Sequence, residues 1–337
     1  MVEVAGAARV CGQQYGEAQR EGIDAFLHMA VAPDPKRLRY AARCWEVLKD
    51  WEPAVVDFVR GMAEGAGLTR AEATLLILHE EVEHLKHCTA VGATGAATRD
   101  GKPIIGQNWD WLSHLYAWSH LTRVAVRGQP KVLAYSFPGL WTGAGINEHG
   151  MSFVWTTGGA WPTVRPRVGI PSYALIAAIL ARKTCAEAIA MLRRTKNAGA
   201  FLFMIADATG EVWVVEGFPH TIEAVRCRDV LVRATYYETE RMRRLSKQDV
   251  AGKIMNTKYR GARMERMARA AIGNIDGPAV QRFLRDETNH TRHSICCRPK
   301  GDFRWATLDS FYCLPEKREF WIARGQPDRH VFKKYTA

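Results

Sequence analysis

Along residues 1–86 apolar side chains recur every three or four positions, which predicts helices over 17–30, 36–49, 53–64 and 71–85. Thr69 and Glu72 stand at the spacing of a capping box that would start the last of these. Gly61, Gly65 and Gly67 read as breaks in the run before it. From residue 88 the period shortens to two. β-prone runs pair off as 89–92 with 103–109, 121–126 with 132–136, 201–206 with 211–215, and 305–313 with 319–323. Turn residues separate them, as in Arg99-Asp100-Gly101, Gly128-Gln129-Pro130 and Asp207-Ala208-Thr209-Gly210. Hairpins this close together imply antiparallel sheet. Helical spacing returns over 172–192, where Thr184 breaks the run and caps its second half with Glu187, and again over 258–272 and 278–286. The order predicts an α+β fold with helices outside two sheets, a helical segment over 1–87 and a β-rich region over 88–337. No repeat or Ser/Gly linker divides them, so the helical segment should pack on the rest.

Composition narrows this little. Of 337 residues, 47% are hydrophobic and 24% charged, the ordinary balance of a globular chain able to bury a sizeable core. No basic leader and no apolar run of membrane length is present, so the expectation is a cytoplasmic protein without a membrane partner. The formal charge of +12 raises the question of a polyanionic partner. Its densest run, 241–247, carries no interleaved aromatics and reads as a solvated face, so no nucleic acid is expected. An acidic ligand such as a coenzyme A phosphate stays compatible. None of the eight cysteines forms C-x-x-C, and most should be small buried hydrophobes with reduced thiols.

Cys88 differs because it stands where helix gives way to strand. The strand it opens turns near Asp100-Gly101 and returns as Ile104-Ile105-Gly106-Gln107-Asn108-Trp109-Asp110. A hairpin brings the end of its second strand back beside the start of its first, so Asp110 and Asn108 should lie near Cys88. With these pieces the chain resembles the isopenicillin-N acyltransferase (acyl-coenzyme A:6-aminopenicillanic acid acyltransferase) family of N-terminal nucleophile hydrolases, which is related to choloylglycine-type acylases. The matching stretches run in the family's order. They are Gly12-Gln13-Gln14-Tyr15-Gly16, Cys88-Thr89 with Gly106-Gln107-Asn108-Trp109-Asp110-Trp111, Gly145-Ile146-Asn147-Glu148-His149-Gly150-Met151, Pro171-Ser172, 207–216, Ser294-Ile295-Cys296 with Arg298, and 307–327.

The resemblance implies a four-layer αββα sandwich and a precursor that cuts itself between His87 and Cys88, leaving two associated fragments. The new terminus would carry its own base, an amine titrating near ~8 beside a thiol near ~8.5. No catalytic histidine and no cofactor are then required. By the same resemblance Asp110 orients amine and thiol, Asn147 contributes to the oxyanion hole, and Arg298 steadies charge near the sulfur. Two positions depart from the pattern: His87 stands where glycine is common before the nucleophile, and Thr235 falls where an asparagine serves the oxyanion. The implied substrate is a small amide or an acyl-CoA-like thioester, with Asn108, Trp109 and Trp111 as candidate binding residues. Trp118, Trp141 and Trp155 are open to either an acyl pocket or plain core packing. A homo-oligomer is left open.

Two rival readings belong beside this one. His79, Glu83 and His87 share a helix face at four-residue steps, a conceivable two-histidine, one-carboxylate metal site, although a solvated helix end explains the stretch more simply. Thr235 also admits a relative that keeps the fold and a ligand cleft but little turnover.

Overall fold

The computed structural model describes residues 1–83, 88–158, 164–247, 255–288, 294–300 and 304–337. The chain opens with an edge strand and helices: β1 (Val2–Gly6), α1 (Ala8–Ala18), α2 (Arg20–Phe26), α3 (Pro35–Leu48), α4 (Pro53–Ala66), α5 (Arg70–Ile77) and α6 (His79–Val82). Two hairpin-rich runs follow. The first holds β2 (Thr89–Ala93), β3 (Ile104–Leu112), β4 (His120–Val126), β5 (Val132–Phe137), β6 (Leu140–Asn147) and β7 (Ser152–Thr157). After α7 (Ser172–Leu180) and α8 (Cys185–Arg194) come β8 (Phe201–Ala206), β9 (Val212–Phe218), β10 (Thr221–Arg226) and β11 (Val230–Ala234). The chain ends with α9 (Glu240–Ser246), α10 (Met255–Ala270), α11 (Gly277–Leu284), β12 (Trp305–Leu314), β13 (Glu319–Arg324) and β14 (Lys333–Thr336).

The strands form two sheets, ordered β1-β4-β5-β6-β7-β8-β9-β10 and β11-β2-β3-β12-β13-β14. Every pairing is antiparallel except β1 on β4. The sheets meet face to face where β2 and β3 lie on β7 and β8. Between them sit Trp109, Tyr135, Phe137, Trp155 and Phe311, with ring centroids 5.2–6.5 Å apart. The α7–α9 helices and the N-terminal helices cover the larger sheet, and α10 and α11 cover the smaller. Val91, Ile104, Met264, Ala268, Val280 and Tyr312 fill that second interface. This is the expected αββα layering, and covering both faces of each sheet explains why these strands are buried along almost their whole length.

Local signals held where capping chemistry dictated them. Thr69 Oγ1 accepts from the Glu72 amide at 3.2 Å and the Glu72 carboxylate accepts from the Thr69 amide at 2.8 Å, so the capping box is complete. Thr184 accepts from the Glu187 amide and starts α8 at the expected break. Gly61 and Gly65 do not break α4, however. A Cβ at either would collide with the backbone of α1, and one at Gly12 or Gly16 with the backbone of α4. The four glycines let two helix backbones touch, and α4 ends only at Gly67, whose φ is 74°.

The expected helix over 71–85 is also corrected. α5 stops at Ile77, the short α6 ends at Val82, and Glu83 is extended with φ −123° and ψ 106°. His79 turns inward onto Trp111 (centroids 4.9 Å) and Glu83 turns outward to Arg37 (2.9 Å), so no shared metal-binding face forms; His87 lies outside the described residues. Nor is this a solvated helix end, since His79, Glu80 and Glu81 are all buried. The basic stretch at α9 does face solvent at Arg241, Arg243 and Arg244. No helix among the described residues is long and apolar enough to cross a membrane. One apolar core cluster draws on α1–α5 and on both sheets, so the N-terminal segment is packed into the body of the molecule.

Candidate active site

Cys88 immediately precedes β2. Thr89 is paired with Asn108 on β3 and with Ala234 on β11. Carried one step further, the two ladders set Trp109 and Thr235 on either side of Cys88. The thiol is buried, 2% exposed, with its sulfur 3.9 Å from the Asp110 carbonyl oxygen. The hairpin thus brings Asn108 and Asp110 back beside Cys88 as expected, and β11 adds Thr235 from the other side.

Strand alternation then sorts their neighbours. Ala90, Trp109 and Trp111 point into the inter-sheet core, as does Gln107, whose Oε1 accepts from the Trp155 amide of β7 at 2.8 Å. Thr89, Asn108 and Asp110 point the other way, toward α10 and α11. There Arg260 of α10 donates to Thr89 Oγ1 at 2.7 Å and to Asp110 Oδ2 at 3.1 Å. Thr307 of β12 donates to Asp110 Oδ1 at 2.6 Å, and the Cys297 amide donates to Thr307 Oγ1 at 3.0 Å. Asp110 and Arg260 are both essentially inaccessible, at 0% and 1%. Burial drives the Asp110 carboxyl above the ordinary carboxylate value, while Arg260 and Thr307 pull against it. A buried pair thus lies on one side of the sheet and holds Thr89, the residue after Cys88.

The arginine that pairs with Asp110 is Arg260, not Arg298. The Arg298 guanidinium is instead held by two other carboxylates, Glu287 and Asp328. Glu287, Asp328 and Cys296 are also the one group of potential metal ligands among the described residues, with Arg298 already between the two acids. Asn147 is likewise committed elsewhere. Its Nδ2 donates to the Leu180 and Arg182 carbonyls at 2.8 and 2.7 Å, and its Oδ1 accepts from the His149 and Met151 amides. With every amide atom used to tie the β6–β7 turn to the end of α7, this side chain has no donor left for an oxyanion. Asn108 ties β3 to the Leu284 and Ile295 carbonyls and accepts from Ser310. Trp109 belongs to the inter-sheet core, and Trp141 stacks on Phe58 at 4.4 Å; core packing accounts for both.

On the core side α6 closes over the same end of the sheet. Glu80 Oε1 lies 3.4 Å from His79 Nδ1, and its Oε2 accepts from Thr157 at 3.3 Å. Glu81 Oε1 accepts from the Ser172 amide and hydroxyl at 3.0 and 2.6 Å, at the start of α7. Burial raises the Tyr173 phenol, and Glu80, Cys88 and Glu81 all lie near enough to push it further. Desolvation also lifts the Glu81 carboxyl from 4.5 to about 7. A raised acid favours the folded state in its neutral form. That contribution is complete below pH 4.5 and is lost as pH climbs through 7, and the gap corresponds to about 3 kcal/mol. Glu81→Gln stays neutral throughout. In urea unfolding at pH 5 and pH 8, wild type should lose about 3 kcal/mol more than the variant; parallel pH slopes would contradict the assignment.

Arg260, Thr307, Glu80, Glu81 and Tyr173 were not assigned to the site from the sequence, although Thr307 opens a stretch that matches the family. Arg260 left a trace in the pattern: it sits four and eight residues before the buried Met264 and Ala268, on the apolar stripe of a predicted helix.

With this geometry in hand, the comparisons with known proteins are specific. The family model described as acyl-coenzyme A:6-aminopenicillanic acid acyl-transferase matches residues 97–329, a span that takes in Asp110 and Arg260 and begins after Cys88. Among solved structures, a cysteine-to-alanine variant of the conjugated bile acid hydrolase from Clostridium perfringens is similar, with a TM-score of 0.51 and 15% identity over 74% of this chain and 97% of that one. An arginine-to-leucine variant of the same hydrolase gives 0.50 and 16% over the same shares. At such identities the likeness is one of fold. No curated protein matches by sequence.

Proposed function

The chain belongs to the acyl-coenzyme A:6-aminopenicillanic acid acyl-transferase family, and from that membership we propose that it is a self-processing cysteine amidohydrolase or acyltransferase with Cys88 as nucleophile. One observation carries the reading: the thiol at the head of β2 lies against the backbone of Asp110, whose carboxyl is locked to Arg260 and Thr307 in a buried network that also grips Thr89.

In maturation the Cys88 sulfur adds to the carbonyl of residue 87, the peptide nitrogen leaves as the Cys88 amine, and water hydrolyses the resulting thioester. The products are fragments 1–87 and 88–337, which stay together because they share one core. In turnover the free amine takes the thiol proton, and the sulfur attacks a small amide or thioester. Collapse of the tetrahedral adduct expels the amine or thiol leaving group with that proton. Water or an amine then receives the acyl group from Cys88. Asp110, held rigid by its partners, orients the terminal amine and favours its charged form. Trp111, next to His79 and Phe26 beneath α6, offers an apolar wall for the acyl chain.

The test is a mass measurement after mixing the protein with a p-nitrophenyl ester. The expected result is one acyl increment, released by hydroxylamine, on the peptide that begins at Cys88. Acylation at another residue, or none in a protein that hydrolyses the ester, would overturn the reading.

A further inference from the structure

Gln107 carries a group that the folded chain leaves unused. It is wholly buried, and its Oε1 accepts from the Trp155 amide at 2.8 Å, while its Nε2 has no hydrogen-bond partner among the described residues. The Trp155 N–H also fixes which way the amide is turned, because exchanging the two ends would set a donor against a donor. An uncompensated amide in an apolar interior costs roughly 1–3 kcal/mol, so such a group calls for an explanation.

Its place supplies one. Gln107 is paired with Ala90, and two further steps along the ladder bring Trp109 beside Cys88, so Gln107 is the diagonal neighbour of Cys88 on the core face of the same two strands. Diagonal partners in antiparallel sheet stand ~7 Å apart, within reach of a side chain as long as glutamine. The other amide candidate, Asn147, has all its atoms engaged. We propose that Gln107 Nε2 is a side-chain donor to the oxyanion that forms when Cys88 attacks a substrate carbonyl. The assignment rests on Cys88 being the nucleophile. An unpaired donor already fixed by its neighbours needs no reorganisation as the negative charge develops, which is where such a group lowers a barrier most.

Gln107→Glu keeps the acceptor for the Trp155 amide and removes the donor. Gln107→Met removes both at similar length and guards against a failure of the carboxylate variant to fold. Single-turnover acylation by p-nitrophenyl acetate should slow ~100-fold or more in each, with kcat falling and KM little changed. Alkylation of Cys88 by iodoacetamide, which forms no oxyanion, should proceed in Gln107→Met at the wild-type rate. Acylation within threefold of wild type in both variants would overturn the proposal, and so would alkylation slowed as much as acylation, which marks a structural role. Wild-type protein whose Cys88 is never acylated would instead remove the nucleophile assignment on which the proposal stands.

Discussion

Cys88→Ala is expected to lose at least ~10⁴-fold in turnover of a p-nitrophenyl ester, the scale seen when a covalent nucleophile is deleted and only binding and charge stabilisation are left. The same variant should stay a single uncut chain, because the sulfur that starts the acyl shift is gone. Cys88→Ser keeps an oxygen in place and should sit between the two, slow in both reactions, since a hydroxyl is the weaker nucleophile at neutral pH. Folding should hardly change. The thiol is one small buried side chain at a strand end, and circular dichroism of the uncut Cys88→Ala chain and of Cys88→Ser should show the wild-type fold. A Cys88→Ala protein with turnover within tenfold of wild type would contradict the mechanism.

The second large effect concerns the charge pair behind the nucleophile. Asp110 and Arg260 lie 3.1 Å apart with almost no access to water. Removing one partner from such a pair leaves the other desolvated and uncompensated, at about 3–5 kcal/mol. Arg260→Ala should therefore lose that much in urea unfolding, and its activity should fall with it as the Thr89 contact disappears. Replacing both partners by neutral residues, Asp110→Asn with Arg260→Met, is expected to recover most of the stability but not the activity, because no charge is left to orient the terminal amine. If Arg260→Ala unfolds like wild type, the pair does not anchor the site.

How much of this could be read from the sequence depends on the range of the forces involved. Elements with local chemistry at their ends were legible: the Thr69–Glu72 box, the Thr184 cap, and the hairpin that brings Asp110 back beside Cys88. Gly61 and Gly65 of α4 looked like breaks because their purpose, backbone contact with α1, exists only once both helices are placed. The edge strand β1 and helix α1 went unseen for a similar reason, since β1 is held by its parallel pairing to β4, over a hundred residues away. At the site, the strand-borne residues Cys88 and Asp110 were found through period two, and Arg260 was missed because its helix meets them through tertiary packing. Glu80 and Glu81 read as solvent-facing for want of any local sign that α6 is buried. Asn147 and Arg298 were assigned through the family pattern, and the structure commits both side chains elsewhere.

The peptide bond before Cys88 decides the mechanism, and the intact mass of the purified wild-type protein reads it directly. Two co-purifying polypeptides, the larger beginning at Cys88, are predicted. A catalytically competent protein that remains one continuous chain of 37.8 kDa would contradict it.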